Sequence, residues 1–213
     1  IADAKARAGS DGAIAFVFSG HGAKSEESGL PRGNSVICCY DSVKDGGTNG
    51  NMTNLELRDA FAGFAGKLFL FLDSCRSGGM NEVVNGENRY MTTTSGANGY
   101  GYDNPDYGHG AWTYWYLGQG LGEQGYTNAE DVYDWASAQY QTNRNDAPQE
   151  FDGDPDSPFV LGENRAGRFT FKTGDTTLVN REVAAARALS VYDDLSTLQT
   201  AGVVAKGEFG TII

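Results

Sequence analysis

At 213 residues with a formal net charge of −12, the chain is long enough for one compact domain with a sizeable core and a small appendage. The acidic balance leaves no basic stripe to neutralise phosphate, which argues against nucleic acid as a partner, and no run approaches the ~20 apolar residues of a membrane-spanning helix. Three cysteines do not make a disulfide framework.

Ile1–Gly12 reads as a short alanine-bearing helix and a Gly-Ser-Asp-Gly turn. Ala13–Phe18 follows, an apolar run of strand length that ends in Ser19-Gly20-His21-Gly22. A polar loop over Ala23–Gly33 leads to a strand at Ser35–Tyr40, in which Cys38 and Cys39 are expected as small core residues. Neither has the spacing of a zinc site. After an Asp/Gly/Asn-rich turn, Leu57, Phe61 and Phe64 recur at helical spacing, with Thr53 or Asn54 as N-cap and Gly66 as the stop.

Leu68–Leu72 is apolar without alternation, the pattern of a strand buried on both faces in a parallel sheet, and it breaks off at Asp73-Ser74-Cys75. Ligands in open α/β sheets bind beyond the carboxyl ends of the strands. Two such strands, one delivering His21 and the other Cys75, place an imidazole and a thiol at one edge of one sheet. That is the pairing a cysteine nucleophile needs. A loop over Met80–Asn88, a strand at Tyr90–Ser95 and a long Gly/Asn/Tyr/Asp-rich loop, Gly96–Gly110, come next. Loops of that length inside a compact domain are usually functional or disordered. Ala111–Leu121 and Ala129–Gln141 read as amphipathic helices, and Phe159–Leu161 as a short strand. Beyond 162, Arg168–Lys172 alternates like an edge strand, and alanine-rich Glu182–Leu189 reads as helix. The domains expected are therefore 1–162, carrying the chemistry, and 163–213, an extension of unassigned role.

Phe18-Ser19-Gly20-His21-Gly22 followed by Asp73-Ser74-Cys75-Arg76-Ser77-Gly78-Gly79 resembles the caspase-type cysteine peptidases, nearest the metacaspase, paracaspase and prokaryotic caspase-like branch. The 54 positions from His21 to Cys75 match the spacing of about 50 in caspases, and the resemblance runs over roughly 10–165. It implies an α/β fold, a mostly parallel sheet with helices on both faces. It also implies a first strand and helix ahead of the His strand, which the twelve residues before Ala13 cannot supply. On that ground the chain is expected to be a fragment or a processed product.

The same resemblance implies a Cys75–His21 dyad, an oxyanion hole from the N–H groups of Gly22 and Cys75, and cleavage of peptide or protein substrates after Arg or Lys. Asp73, two residues before the nucleophile and so on the same side of the strand, implies the acidic pocket for that basic residue. Ser95 implies a further substrate contact, with Asp103 and Asp106 as added negative charge. Self-processing is implied at Arg32, Lys44 or Arg89, which makes a cleaved N-terminal segment of the chain itself an expected partner. No cofactor is required. Calcium is an option through Glu82 and the Asp152–Asp156 run, which lacks the spacing of an EF-hand loop. His109 sits in a Gly-His-Gly like His21 but opens a helix, and is read as structural. The alternatives are a catalytically silent scaffold of the same fold and a peptidase preferring Asp or Asn. The low lysine and the Gly/Asn/Tyr content lean toward secretion, although no signal-peptide pattern opens at Ile1.

Overall fold

The computed structural model describes residues 1–28, 34–39, 50–140 and 146–162, and the backbone of four strands beyond them. The chain divides into two units, Ile1–Asn164 and Arg165–Ile213.

In the first unit, α1 (Ala2–Ala8) leads into β1 (Ala13–Ser19), and β5 (Lys67–Asp73) lies parallel beside it in the register Ala13↔Lys67 to Ser19↔Asp73. β6 (Arg89–Thr93) runs parallel on the other side of β5, and β9 (Gln149–Asp152) closes the order β1-β5-β6-β9 antiparallel to β6. The mixed α/β class with a mainly parallel sheet thus matches the sequence reading. β5 is central because its side chains suit burial on both faces. Leu68, Leu70 and Leu72 join Leu57 and Phe61 of α2 (Asn54–Phe61) in one core cluster, while Phe69 and Phe71 join Trp112, Tyr116 and Val132 in the other. Each such side chain contributes ~1.5–3 kcal/mol by leaving water. The side of β1 away from β5 carries no strand among the described residues, and Val17 there is 53% exposed.

Several elements differ from the expectation. The segment after His21 is not a plain loop. β2 (Gly22–Lys24), β3 (Ser35–Cys38) and β4 (Asn51–Thr53) form a separate antiparallel sheet in that order. β3 is the strand expected at Ser35–Tyr40, whereas β2 and β4, three residues each, are too short to show a period. Cys38 and Cys39 are half-buried rather than core residues. Helix α2 is capped by Thr53 through a reciprocal box with Glu56 and ends earlier than Gly66, with Gly63 left-handed at φ 73°. Ser77–Val83 winds as a 3-10 turn that buries Met80 and Val83, where a loop was expected. Helix α3 (Thr113–Gln124) is π-helical, and α4 (Ala129–Gln139) packs on it. Gly120 permits that contact, since a Cβ there would stand 2.7 Å from Val132 Cγ1. The strand expected at Phe159–Leu161 is a single bridge from Val160 to Asn128.

In the second unit, β10 (Glu182–Ala184) pairs antiparallel with β13 (Phe209–Thr211), and β11 (Leu189–Asp194) with β12 (Gln199–Val204). Of the helix expected over Glu182–Leu189, Glu182–Ala184 and Leu189 lie in strands and 185–188 lie outside the described residues. The edge strand expected at Arg168–Lys172 lies outside the described residues.

Candidate active site

Parallel pairing of β1 with β5 carries His21 and Cys75 to the same edge. Ser19 is the register partner of Asp73, and Gly20 N–H donates to the Asp73 carbonyl at 3.1 Å. His21 and Cys75, each two residues further on, therefore leave the sheet side by side. Gly22 seals the contact: a Cβ on it would collide with the Cys75 carbonyl and stand 3.0 Å from Ser74 Oγ. Only a residue without a side chain lets the two segments touch there.

Cys38 N–H donates to the His21 carbonyl at 2.8 Å, so 21 and 38 form a hydrogen-bonded pair that continues the β2–β3 ladder. Antiparallel pairs alternate, which turns the Gly22 N–H away from β3, toward the unpaired edge of β2. His21 itself is exposed and Cys75 is half-buried, its thiol donating to the Gly101 carbonyl at 3.5 Å.

The turn that presents Cys75 is tight. Arg76 takes the left-handed conformation, φ 62°, which non-glycine residues seldom adopt. Its guanidinium is committed to the loop above the thiol. It donates to the Asn98 carbonyl, to Gly99 O at 3.5 Å and to Tyr100 Oη at 3.0 Å, and lies 4.2 Å from the Tyr100 ring centre. From the other side Asp146, buried, accepts from Tyr100 N–H at 2.8 Å and takes the Tyr102 hydroxyl. The loop that delivers Gly101 to Cys75 is thus clamped at both ends. Neither Arg76 nor Asp146 as a clamp was legible in the sequence.

Asp73 is buried at 5% exposure, and its Oδ2 accepts from Thr113 N–H at 2.8 Å and Thr113 Oγ1 at 2.7 Å, at the start of α3. Thr94 nearby also favours the ionised carboxylate. Burial holds the carboxyl above its ordinary range, opposed by Thr113 and Thr94 and reinforced by the nearby charge of Asp103. Gly110 lies directly against this carboxylate, where a Cβ would overlap Oδ2. Gly110 also lines a cavity of about 430 Å³ with Ser19, Gly20, Asp103, Pro105 and His109. That cavity is roofed by the short hairpin of β7 (Asp103–Asn104) and β8 (His109–Gly110).

The remaining expected residues fall elsewhere. Ser95 is fully buried beneath the Cys75 turn, its hydroxyl donating to Ser74 O at 3.3 Å and its carbonyl accepting from Gly78 N–H at 2.9 Å. It supports the turn from below. Asp103 is exposed at the cavity, whereas Asp106 is exposed in the hairpin's turn, its N–H donating to Asn104 Oδ1 at 2.9 Å. His109 is exposed on the hairpin and rests near the ring of Tyr114.

Among the described residues no group of three or more His, Cys, Asp or Glu side chains could hold a metal ion. Glu82 stands exposed, and Asp152 Oδ1 accepts from Asp154 N–H at 2.9 Å in a local turn. No helix among the described residues is long and apolar enough to cross a membrane.

The family model described as "Caspase domain" matches residues 1–175. Among solved structures, protein GSU0716 from Geobacter sulfurreducens is similar at 16% identity and a TM-score of 0.53, covering 76% of this chain and 76% of that one. This likeness concerns the fold alone. No curated protein matches the chain.

Proposed function

The chain belongs to the caspase-domain family, and on that premise we propose that it is a cysteine endopeptidase cutting after Arg or Lys. Cys75 Sγ, as thiolate, attacks the scissile carbonyl carbon. The carbonyl oxygen becomes an oxyanion held by the N–H groups of Gly22 and Cys75. His21 gives a proton to the departing amine, and water then releases the acyl group from sulfur.

The observation that carries this reading is the contact of Gly22 with the Cys75 carbonyl, which ties the histidine turn to the cysteine turn. The preference for a basic residue rests on Asp73 and Asp103. Neither carboxylate has a basic side chain against it among the described residues, and the cavity wall between them is a glycine. A substrate guanidinium or ammonium would supply the missing opposite charge. Arg76, the cation nearest the nucleophile in sequence, is engaged with loop carbonyls, which weighs against a pocket for acidic residues.

Self-processing follows from the same preference at Arg32 or Lys44, which lie outside the described residues. Arg89 is a poorer site, because it lies in β6 with its guanidinium on the Gly66 and Phe64 carbonyls. Incubation of the purified chain followed by intact-mass measurement checks this, with Cys75→Ala as control. Fragments ending at Arg32 or Lys44 that are absent from the variant support self-cleavage. An unchanged mass in both proteins refutes it. Calcium is tested in the same incubation by adding the ion or a chelator.

A further inference from the structure

We propose that Tyr107 is a positioning residue for the binding of a basic side chain: its ring locks the β7–β8 hairpin onto α3 and so keeps the cavity beside Asp73 in shape. The inference rests on the basic-residue reading above and identifies what holds that pocket together.

The cavity is largely a property of the hairpin. Of the eight described residues that line it, six belong to the hairpin, and Ser19 and Gly20 are the others. Yet the hairpin has little to hold its own place. Its ladder is two residue pairs, Asp103↔Gly110 and Asn104↔His109, and an isolated two-stranded ribbon is marginal in water. The hydrogen bonds of 103–110 among the described residues close inside it. Tyr107 N–H and Gly108 N–H donate to the Asn104 carbonyl at 3.0 and 3.1 Å, and Asp106 N–H to Asn104 Oδ1 at 2.9 Å. At the base Ala111 N–H donates to the Tyr102 carbonyl at 3.0 Å.

Aromatic packing supplies the missing anchor. The Tyr107 ring lies nearly parallel to that of Tyr114, 8° between planes and 3.8 Å between centres, and presents an edge-to-face contact to Trp115 at 6.2 Å. Tyr114 and Trp115 are themselves edge to face at 5.0 Å. Trp115 continues to Trp135 of α4 at 6.1 Å and packs against the buried cluster around Phe71 and Trp112. The hairpin is therefore tied to the core through one ring. A tyrosine serves well there because it offers a large flat contact at the cost of only two side-chain torsions.

The first turn of α3 then serves one pocket from two sides. Thr113 holds Asp73 through its N–H and Oγ1, while Tyr114 and Trp115, next in sequence, hold the hairpin that carries Asp103. The second seat is Gly110, whose missing side chain lets the hairpin close on the Asp73 carboxylate. With the stack broken, Asp103 and Gly110 are no longer kept beside Asp73, and a guanidinium loses the pair of charges it would meet together.

The test measures binding of acetyl-argininamide to the Cys75→Ala protein by calorimetry, so that no turnover intervenes. Tyr107→Ala should weaken binding about tenfold, whereas Tyr107→Phe, which keeps the ring, should stay within about twofold of its parent. Tyr114→Ala should match Tyr107→Ala, and the double variant should lose little more, because both remove one contact. In the active enzyme, KM for an Arg-terminated peptide rises in Tyr107→Ala while kcat falls less than about threefold. Amide hydrogen exchange over 103–110 quickens in the same variant, with β5 unchanged. Equal or tighter binding in Tyr107→Ala, or an equal loss in Tyr107→Phe, overturns the proposal and leaves the basic-residue reading standing. A Cys75→Ala parent that does not bind acetyl-argininamide overturns both.

Discussion

Replacing Thr113 by Val removes one of the two bonds from this residue to Asp73 while keeping its volume and its backbone N–H. The lost bond, Thr113 Oγ1 to Asp73 Oδ2 at 2.7 Å, is charge-assisted, a class that contributes ~1.5–3 kcal/mol. If Asp73 must be ionised and fixed to receive a basic side chain, that energy appears as roughly a 10- to 150-fold drop in kcat/KM on an Arg substrate. Losing the bond also disfavours the charged carboxylate. The acid limb of the kcat/KM profile therefore moves to higher pH, and Thr113→Ser restores it. The assay is initial-rate hydrolysis of an Arg-terminated fluorogenic peptide from pH 5 to 9, with unfolding curves for each variant. An unchanged profile in a folded Thr113→Val protein, or an equal loss in Thr113→Ser, would refute the role given to Thr113.

Asp73→Asn bears on stability as well as activity. Because the folded carboxyl lies above its ordinary value, the folded state binds the proton more tightly than an unfolded chain near ~3.9. This contribution to stability is full below that value and is lost as pH rises through the folded value. Urea titrations at several pH values should show Asp73→Asn flattening that decline and holding wild-type stability or better at pH 7, with cleavage after Arg lost. Arg76→Ala releases the loop at Asn98–Tyr100 and should cut kcat/KM at least tenfold. Arg76→Lys should recover little, since an ammonium cannot reproduce the planar fork across two carbonyls and a ring. Thr92→Val leaves the buried Trp112 indole N–H without its 3.1 Å acceptor. It should cost about 1–3 kcal/mol in chemical denaturation while sparing the pH profile.

How much could be read in advance divides along sequence separation. β5 was legible because a strand buried on both faces is a continuous apolar run; β1 shows the same run in sequence but is an edge strand with one exposed face, and its register with β5 brings His21 toward Cys75. The cap of α2 was legible because Thr53 and Glu56 are three residues apart. Thr113 was not, since it reaches Asp73 from 40 residues away and a threonine at a helix start signals only a cap. Asp146 and Tyr100 are likewise 46 apart, and Arg76 carries no local sign that its charge is already committed. Of the sheet β2-β3-β4 only β3 was read in advance, as the strand at Ser35–Tyr40; β2 and β4, three residues each, are too short to show a period.

The central claim is that Cys75 and His21 form a working dyad behind an acidic pocket. The most direct measurement is hydrolysis of peptides ending in Arg, Lys, Asp or Asn by wild type, Cys75→Ala and His21→Ala, with and without calcium. Cleavage after Arg or Lys alone, abolished in both variants, is the predicted result. Cleavage after Asp or Asn would contradict the reading of Asp73, and cleavage that survives Cys75→Ala would contradict the dyad itself.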